Sequence, residues 1–131
     1  ALQETGHLRA FVVHGDPGMD EISPSGITYI SELSDSGILE YNVTPEQLGL
    51  EPAALESLVG DDPEYNAAVI LQVLKGQEGG ARTAIVINAA AAIAVADQST
   101  SLQEGVRLAE SSIDSGAASD ALERLRMASH Q

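Results

Sequence analysis

The sequence predicts an α/β chain in which a few strands come first and a helical half follows. Alternation in the strand period is confined to residues 8–43, whereas capped segments with helical apolar spacing fill the chain from Thr44 onward. The third observation is the stretch V-V-H-G-D-P-G-M-D-E-I-S over residues 12–23. There the apolar run Ala10, Phe11, Val12, Val13 stops at His14-Gly15, a Gly/Pro loop follows, and the adjacent acids Asp20 and Glu21 come next. This pattern predicts a buried strand delivering carboxylates to the carboxyl edge of an α/β sheet, where such folds place their ligands.

Residues 1–6 read as the last turn of a helix capped by Gly6, so the chain begins as if in mid-element. A strand over residues 8–13 comes next. Ile27, Tyr29 and Leu33 mark a second strand, and Ile38, Tyr41 and Val43 a third. Ser34-Asp35-Ser36-Gly37 between them has hairpin-turn composition, which makes the last two antiparallel neighbours. Thr44-Pro45-Glu46-Gln47 is a capping box opening a short turn that stops by Gly49, and residues 52–58 read as another.

Asp62 caps a stronger helix with Pro63 at its first position. Ala67, Ile70, Leu71 and Leu74 form its expected apolar stripe, and Gly76 ends it. A helix over residues 81–95 is apolar nearly all round and is expected to be buried. Ser101-x-x-Glu104 caps a helix running to Ser115, with Leu102, Val106, Ala109 and Ile113 inward and Gly116 as its cap. The last helix, over residues 118–127, is expected to turn Leu122 and Leu125 inward.

Composition narrows the function classes. The 131 residues are enough for one domain with a real core, and 44% are apolar while only 3% are aromatic, so Ala, Leu, Ile and Val must build it. A formal charge of −14 repels phosphate backbones and anionic bilayers, which disfavours nucleic-acid and membrane partners. Phosphorylated metabolites remain compatible if a divalent cation bridges them to carboxylates. The lack of cysteine excludes disulfides and thiol chemistry, and fits a cytoplasmic setting. No signal peptide is visible, and the longest apolar stretch, residues 84–96, falls short of the roughly 20 residues a bilayer needs.

Three side chains are candidates for chemistry. Asp20 and Glu21, in a loop, can converge on one cation, and magnesium takes a few carboxylates alongside waters and phosphate oxygens. Two solvated loop acids are the alternative. His14 ends its strand where imidazole can donate to a substrate or carry a proton; bonding backbone carbonyls beneath the loop is the equal alternative. His7 and His130 read as solvated.

Several further segments stand in one order along the chain. They are V-H-G…M-D-E-I-S, G-D-D-P-E-Y-N-A from Gly60, R-T-A-I-V-I-N-A-A-A-A from Arg82, and S-I-D-S-G-A-A from Ser112. Together they resemble the later part of anthranilate phosphoribosyltransferases, with departures at Met19, Asp61, Tyr65, Thr83 and Ala117. The resemblance implies the C-terminal portion of a nucleoside phosphorylase/phosphoribosyltransferase-like catalytic domain over residues 1–131. It implies an enzyme of tryptophan biosynthesis that transfers phosphoribosyl from phosphoribosyl pyrophosphate to anthranilate. It also implies Mg2+ held by Asp20 and Glu21. Capping and packing roles are expected for Asp62, Asn66 and Asn88.

The family's G-T-G-G-D donor loop, its K-H-G-N-R segment and its helical dimerisation domain do not occur here. The chain is therefore expected to be inactive alone, and to self-associate or need a complementary chain at a sheet edge left open in a parallel-type sheet. Two other readings stand beside this one: a relative of pyrimidine-nucleoside phosphorylase, which shares the architecture, and a non-catalytic binding module of the same fold.

Overall fold

The computed structural model describes residues 2–97 and 99–129, so Ala1 of the expected opening turn and His130 lie outside the described residues. Strands β1 (Ala10–Gly15), β2 (Thr28–Ser34) and β3 (Gly37–Val43) come first. Single 3-10 turns at Glu46–Leu48 and Leu55–Leu58 lead into helices α1 (Pro63–Leu74), α2 (Gly80–Ala96), α3 (Leu102–Asp114) and α4 (Ala117–Ser129). Strands first and helices after is the predicted order.

The sheet corrects one expectation. Its order is β1-β2-β3 and both pairings are antiparallel, so these strands form a meander and not a piece of parallel sheet. The predicted hairpin is present, with Ser34 opposite Gly37 across a two-residue turn. Nor is β1 a buried strand. Its side chains alternate, with Phe11 and Val13 toward the helices and Val12 and His14 exposed on the open face.

β1 is also an edge. Asp16 N–H donates to Ile27 O beside β2, whereas Gly15 N–H donates to Met19 O on the other side. Backbone groups alternate sides along a strand. The N–H and C=O of Phe11 and Val13 therefore point away from β2, to an edge that no described strand occupies.

One core fills the space between the inner sheet face and the helices. Val86, Ile87, Ala90 and Ala94 of α2 are fully buried, against Ile30 and Val43 of the sheet and Val106, Ala109 and Ile113 of α3. With few aromatic residues the layers must approach through small ones. A Cβ built on Gly105 of α3 would lie 2.4 Å from the Ala90 carbonyl oxygen, a backbone atom that cannot step aside. Gly105→Ala is thus expected to destabilise the chain by about 1–3 kcal/mol, the usual cost of overpacking, read as a lower urea midpoint at unchanged m.

The caps form as predicted. Gln47 N–H donates to Thr44 Oγ1 at 3.4 Å and Thr44 N–H to Gln47 Oε1 at 2.9 Å, closing the capping box. Asp62 Oδ1 accepts from Tyr65 N–H at 2.8 Å and Ser101 Oγ from Glu104 N–H at 3.1 Å. At the opening turn His7 N–H reaches Leu2 O and Gly6 N–H reaches Gln3 O, both at 3.3 Å, with Gly6 at φ 77°. That is the Schellman pattern of a helix end.

Two apolar stripes differ from expectation. In α1 the buried residue is Val73, while Ile70 and Leu71 are nearly half exposed, because the helix leans on α2 through a neighbouring face. In α4 Leu125 is exposed and Leu122 only half-buried; this helix lies at the margin and buries no residue fully. Among the described residues no helix is long and apolar enough to cross a membrane.

Candidate functional site

The loop after β1 is built on close approach. Gly18 and Met19 N–H groups donate to Gly15 O at 2.8 and 2.7 Å, folding Met19 back onto the strand end, with a cis Asp16–Pro17 peptide between. A Cβ on Gly15 would lie 2.7 Å from Glu21 O and 2.9 Å from Ser23 N, so glycine alone allows the returning chain to cross here. Asp20 and Glu21 stand exposed on that return.

The far side of the loop is pinned as firmly. Ile22 and Ser23 are fully buried. Ile22 N–H donates to Asn88 Oδ1 at 2.9 Å, and Asn88 Nδ2 donates to Ile22 O and to Ala84 O, both at 3.1 Å. Ser23 N–H donates to Thr28 Oγ1 at 2.8 Å, and Ser23 Oγ to Asp16 O at 2.7 Å. The polar residue expected to need a partner inside α2 thus finds it on the peptide next to Glu21.

The two adjacent carboxylates on this pinned loop are hard oxygen donors, the kind that magnesium takes alongside water and phosphate. Among the described residues no group of three or more His, Cys, Asp or Glu side chains gathers that could hold a metal ion.

His14 belongs to a different surface. It faces Tyr29 across the β1–β2 register and lines a 430 Å³ cleft on the open sheet face with Glu40 and Asn42. Glu21 lines a separate 290 Å³ cleft with Met19, Val59, Tyr65 and Asn66. The structure therefore does not bring His14 into the cleft that Glu21 lines, Asp20 lines neither cleft, and the imidazole is exposed where the sequence suggested a buried strand end.

The other motif segments prove to be clamps. Asn66 Oδ1 accepts from Asp61 N–H and its Nδ2 donates to Asp61 O, each at 3.1 Å, holding the loop before α1. Arg82, buried at the start of α2, pairs with Asp114 at the end of α3 at 2.8 Å and with Glu78 at 3.4 Å. What the sequence did not reveal is the cleft beside Glu21. Its walls come from four separate segments; Glu21, Met19, Gly60, Tyr65 and Asn66 stood in sequence motifs, but nothing in those motifs brings them to one cleft.

Residues 1–119 match the family described as "Glycosyl transferase family, a/b domain", and the chain belongs to that family. Within it, the chain is 50% identical over 125 residues to the anthranilate phosphoribosyltransferase of Rubrobacter xylanophilus, covering 95% of this chain and 36% of that protein. It is 45% identical to that of Methanocorpusculum labreanum, with the same coverage of 95% and 36%.

The crystal structure of anthranilate phosphoribosyltransferase from Thermus thermophilus superposes with a TM-score of 0.83 at 40% identity, over 95% of this chain and 36% of that one. The Saccharomyces cerevisiae enzyme in complex with PRPP and Mg gives 0.77 at 29% identity, over 86% and 33%. The chain thus spans 36% or less of the length of these relatives.

Proposed function

We propose that this chain is the C-terminal part of the catalytic domain of an anthranilate phosphoribosyltransferase, a cytoplasmic enzyme of tryptophan biosynthesis. The intact protein transfers phosphoribosyl from phosphoribosyl pyrophosphate to the anthranilate amine and releases pyrophosphate. The observation that carries this reading is the match to the Thermus protein, 40% identical with a TM-score of 0.83 over 95% of the chain.

Within that reading Asp20 and Glu21 hold Mg2+. The bound ion supplies neutralisation of charge on the leaving pyrophosphate. The chain's own share is to present two carboxylates at a fixed place, through Gly15 beneath the loop and Asn88 behind it. His14 offers a hydrogen-bond donor to substrate from the open sheet face.

The test is reconstitution. Purified alone, the chain is expected to leave anthranilate fluorescence unchanged in the presence of phosphoribosyl pyrophosphate and magnesium, because it lacks a donor-phosphate loop. Fused behind the remaining two thirds of the Rubrobacter relative, it is expected to restore turnover. Turnover by the chain alone, or none by a folded fusion, would count against the reading.

A complementary chain, or a second copy, is the proposed occupant of the β1 edge. The outward groups of Phe11 and Val13, on a strand segment without charge or proline, are a template for another strand. Hydrogen exchange at the Phe11 and Val13 amides is expected to be fast in dilute chain. It should slow at least tenfold on association with the complementary polypeptide or at high chain concentration. Equal exchange under all these conditions would leave the edge without an occupant.

A further inference from the structure

We propose that Asn88 is the positioning residue for the metal half-site, acting through the backbone of Ile22. This rests on the assignment of Asp20 and Glu21 as magnesium ligands and goes beyond it, since Asn88 touches neither carboxylate.

Asn88 spends its whole amide on this loop and its own helix. Oδ1 takes the Ile22 N–H, and Nδ2 gives one hydrogen to Ile22 O and the other to Ala84 O one turn back. Both edges of a single residue's backbone are thereby gripped, in the manner of a strand pair. The gripped residue immediately follows Glu21. Ile22 itself is 1% exposed, so the anchor lies in the core while the acids it follows lie in solvent.

The grip fixes more than position. The carbonyl of Glu21 is pressed against Gly15, and the Ser23 N–H is held by Thr28. The peptides on both sides of Ile22, the first of which carries the Glu21 carbonyl, are therefore fixed. A loop ordered in advance does not lose that backbone freedom when it binds a cation. α2, whose buried face is made of Val86, Ile87, Ala90 and Ala94, supplies a rigid base for the grip.

The experiment uses the 131-residue chain with Mn2+ as the probe, since manganese takes the same octahedral oxygen set and is counted directly by electron paramagnetic resonance. Asn88→Ser is the variant of choice. Its hydroxyl can bond back to the Ala84 carbonyl but is too short to reach Ile22. Asp20→Asn/Glu21→Gln is the reference without the site. Val106→Ala, a core change on α3 that removes no hydrogen bond to the loop, controls for general loss of stability.

Asn88→Ser is expected to raise the Mn2+ dissociation constant at least fivefold and to speed exchange of the Ile22 amide at least tenfold, with Val106→Ala changing neither by more than twofold. If Asn88→Ser does not fold, the same two measurements on Asn88→Gln, which retains the amide one methylene out of register, decide. Faster exchange at Ile22 with Mn2+ affinity within twofold of wild type overturns the proposal and makes Asn88 a packing residue only. If wild type binds no better than Asp20→Asn/Glu21→Gln, the metal site itself is wrong and the proposal falls with it.

Discussion

Replacing Arg9 by alanine is expected to lower the unfolding free energy of the chain by about 3 kcal/mol, the lower end of the range for removing one member of a buried ion pair, because this pair is largely but not fully buried. Arg9 joins three parts of the fold. Its Nε and Nη2 donate to Glu32 Oε1 at 3.0 and 2.9 Å, tying the entry of β1 to β2. Its Nη1 donates to the carbonyls of Ala94, of Asp97 at 2.9 Å and of Thr100 at 3.2 Å, closing the C-terminal end of α2, where the helix dipole is negative. The guanidinium also lies 5.2 Å from the Phe11 ring centre.

The two side chains of the pair are 10% and 16% exposed, so water screens them little. Truncation leaves Glu32 with the Tyr41 hydroxyl, at 2.9 Å, as its one remaining side-chain partner among the described residues, and removes the guanidinium from the Ala94 carbonyl at the end of α2. Against a typical domain stability of about 5–15 kcal/mol, such a loss moves a urea midpoint far. Arg9→Lys should recover only part of it, because an ammonium cannot serve both clusters at once. A loss below about 1 kcal/mol would be the value of a surface pair and would contradict this account.

The same cluster sets an alkaline limit. Burial raises the Tyr41 pKa, the hydrogen bond to Glu32 and then its negative charge raise it further, and Arg9 alone opposes them. Tyr41 therefore holds its proton more tightly folded than unfolded. Its contribution is complete below about pH 10, the unfolded value for tyrosine, and is lost as pH rises beyond that toward the higher folded value. In a spectrophotometric titration Tyr41→Phe should remove that part of the alkaline loss of stability.

Local signals are legible in the sequence wherever a single segment determines the outcome. The caps at Thr44, Asp62 and Ser101, the hairpin at Asp35-Ser36 and the inner face of α3 all follow from their own contiguous segments. Misreadings arise where a distant segment decides. Ile70 and Leu71 fit a helical stripe as well as Val73 does, and only the direction from which α2 packs selects Val73. Ala10 to Val13 reads as a buried strand, but burial on its second face and edge depends on a covering layer that the 131 residues do not form among those described.

The candidate site divides along the same line. Asp20 and Glu21 are visible because their loop is contiguous. The cleft beside Glu21 is not, since Val59, Tyr65 and Ile85 reach it from separate elements. Asn88 is half legible: an amide in an apolar helix needs a partner, but nothing in its own segment names Ile22.

In the fusion with the remaining two thirds of the Rubrobacter relative, Asp20→Asn/Glu21→Gln is expected to reduce kcat/KM by about 30- to 1,000-fold, corresponding to about 2–4 kcal/mol of lost transition-state stabilisation. The size follows by analogy with removing one preorganised donor from a developing charge. Both side chains are exposed, and neither accepts a hydrogen bond from any described residue, so their removal should leave the urea midpoint nearly unchanged. Loss of activity without loss of fold separates a ligand from a structural acid. Raising magnesium should recover part of the rate, because the amide oxygens remain weak ligands and mass action offsets reduced affinity. Two solvated loop acids would instead give kcat/KM within about twofold of the parent at every magnesium concentration, the behaviour of surface groups that contribute little. Measuring kcat/KM for parent and variant across a magnesium series distinguishes the two, and a flat, near-parental profile would remove Asp20 and Glu21 from the reaction.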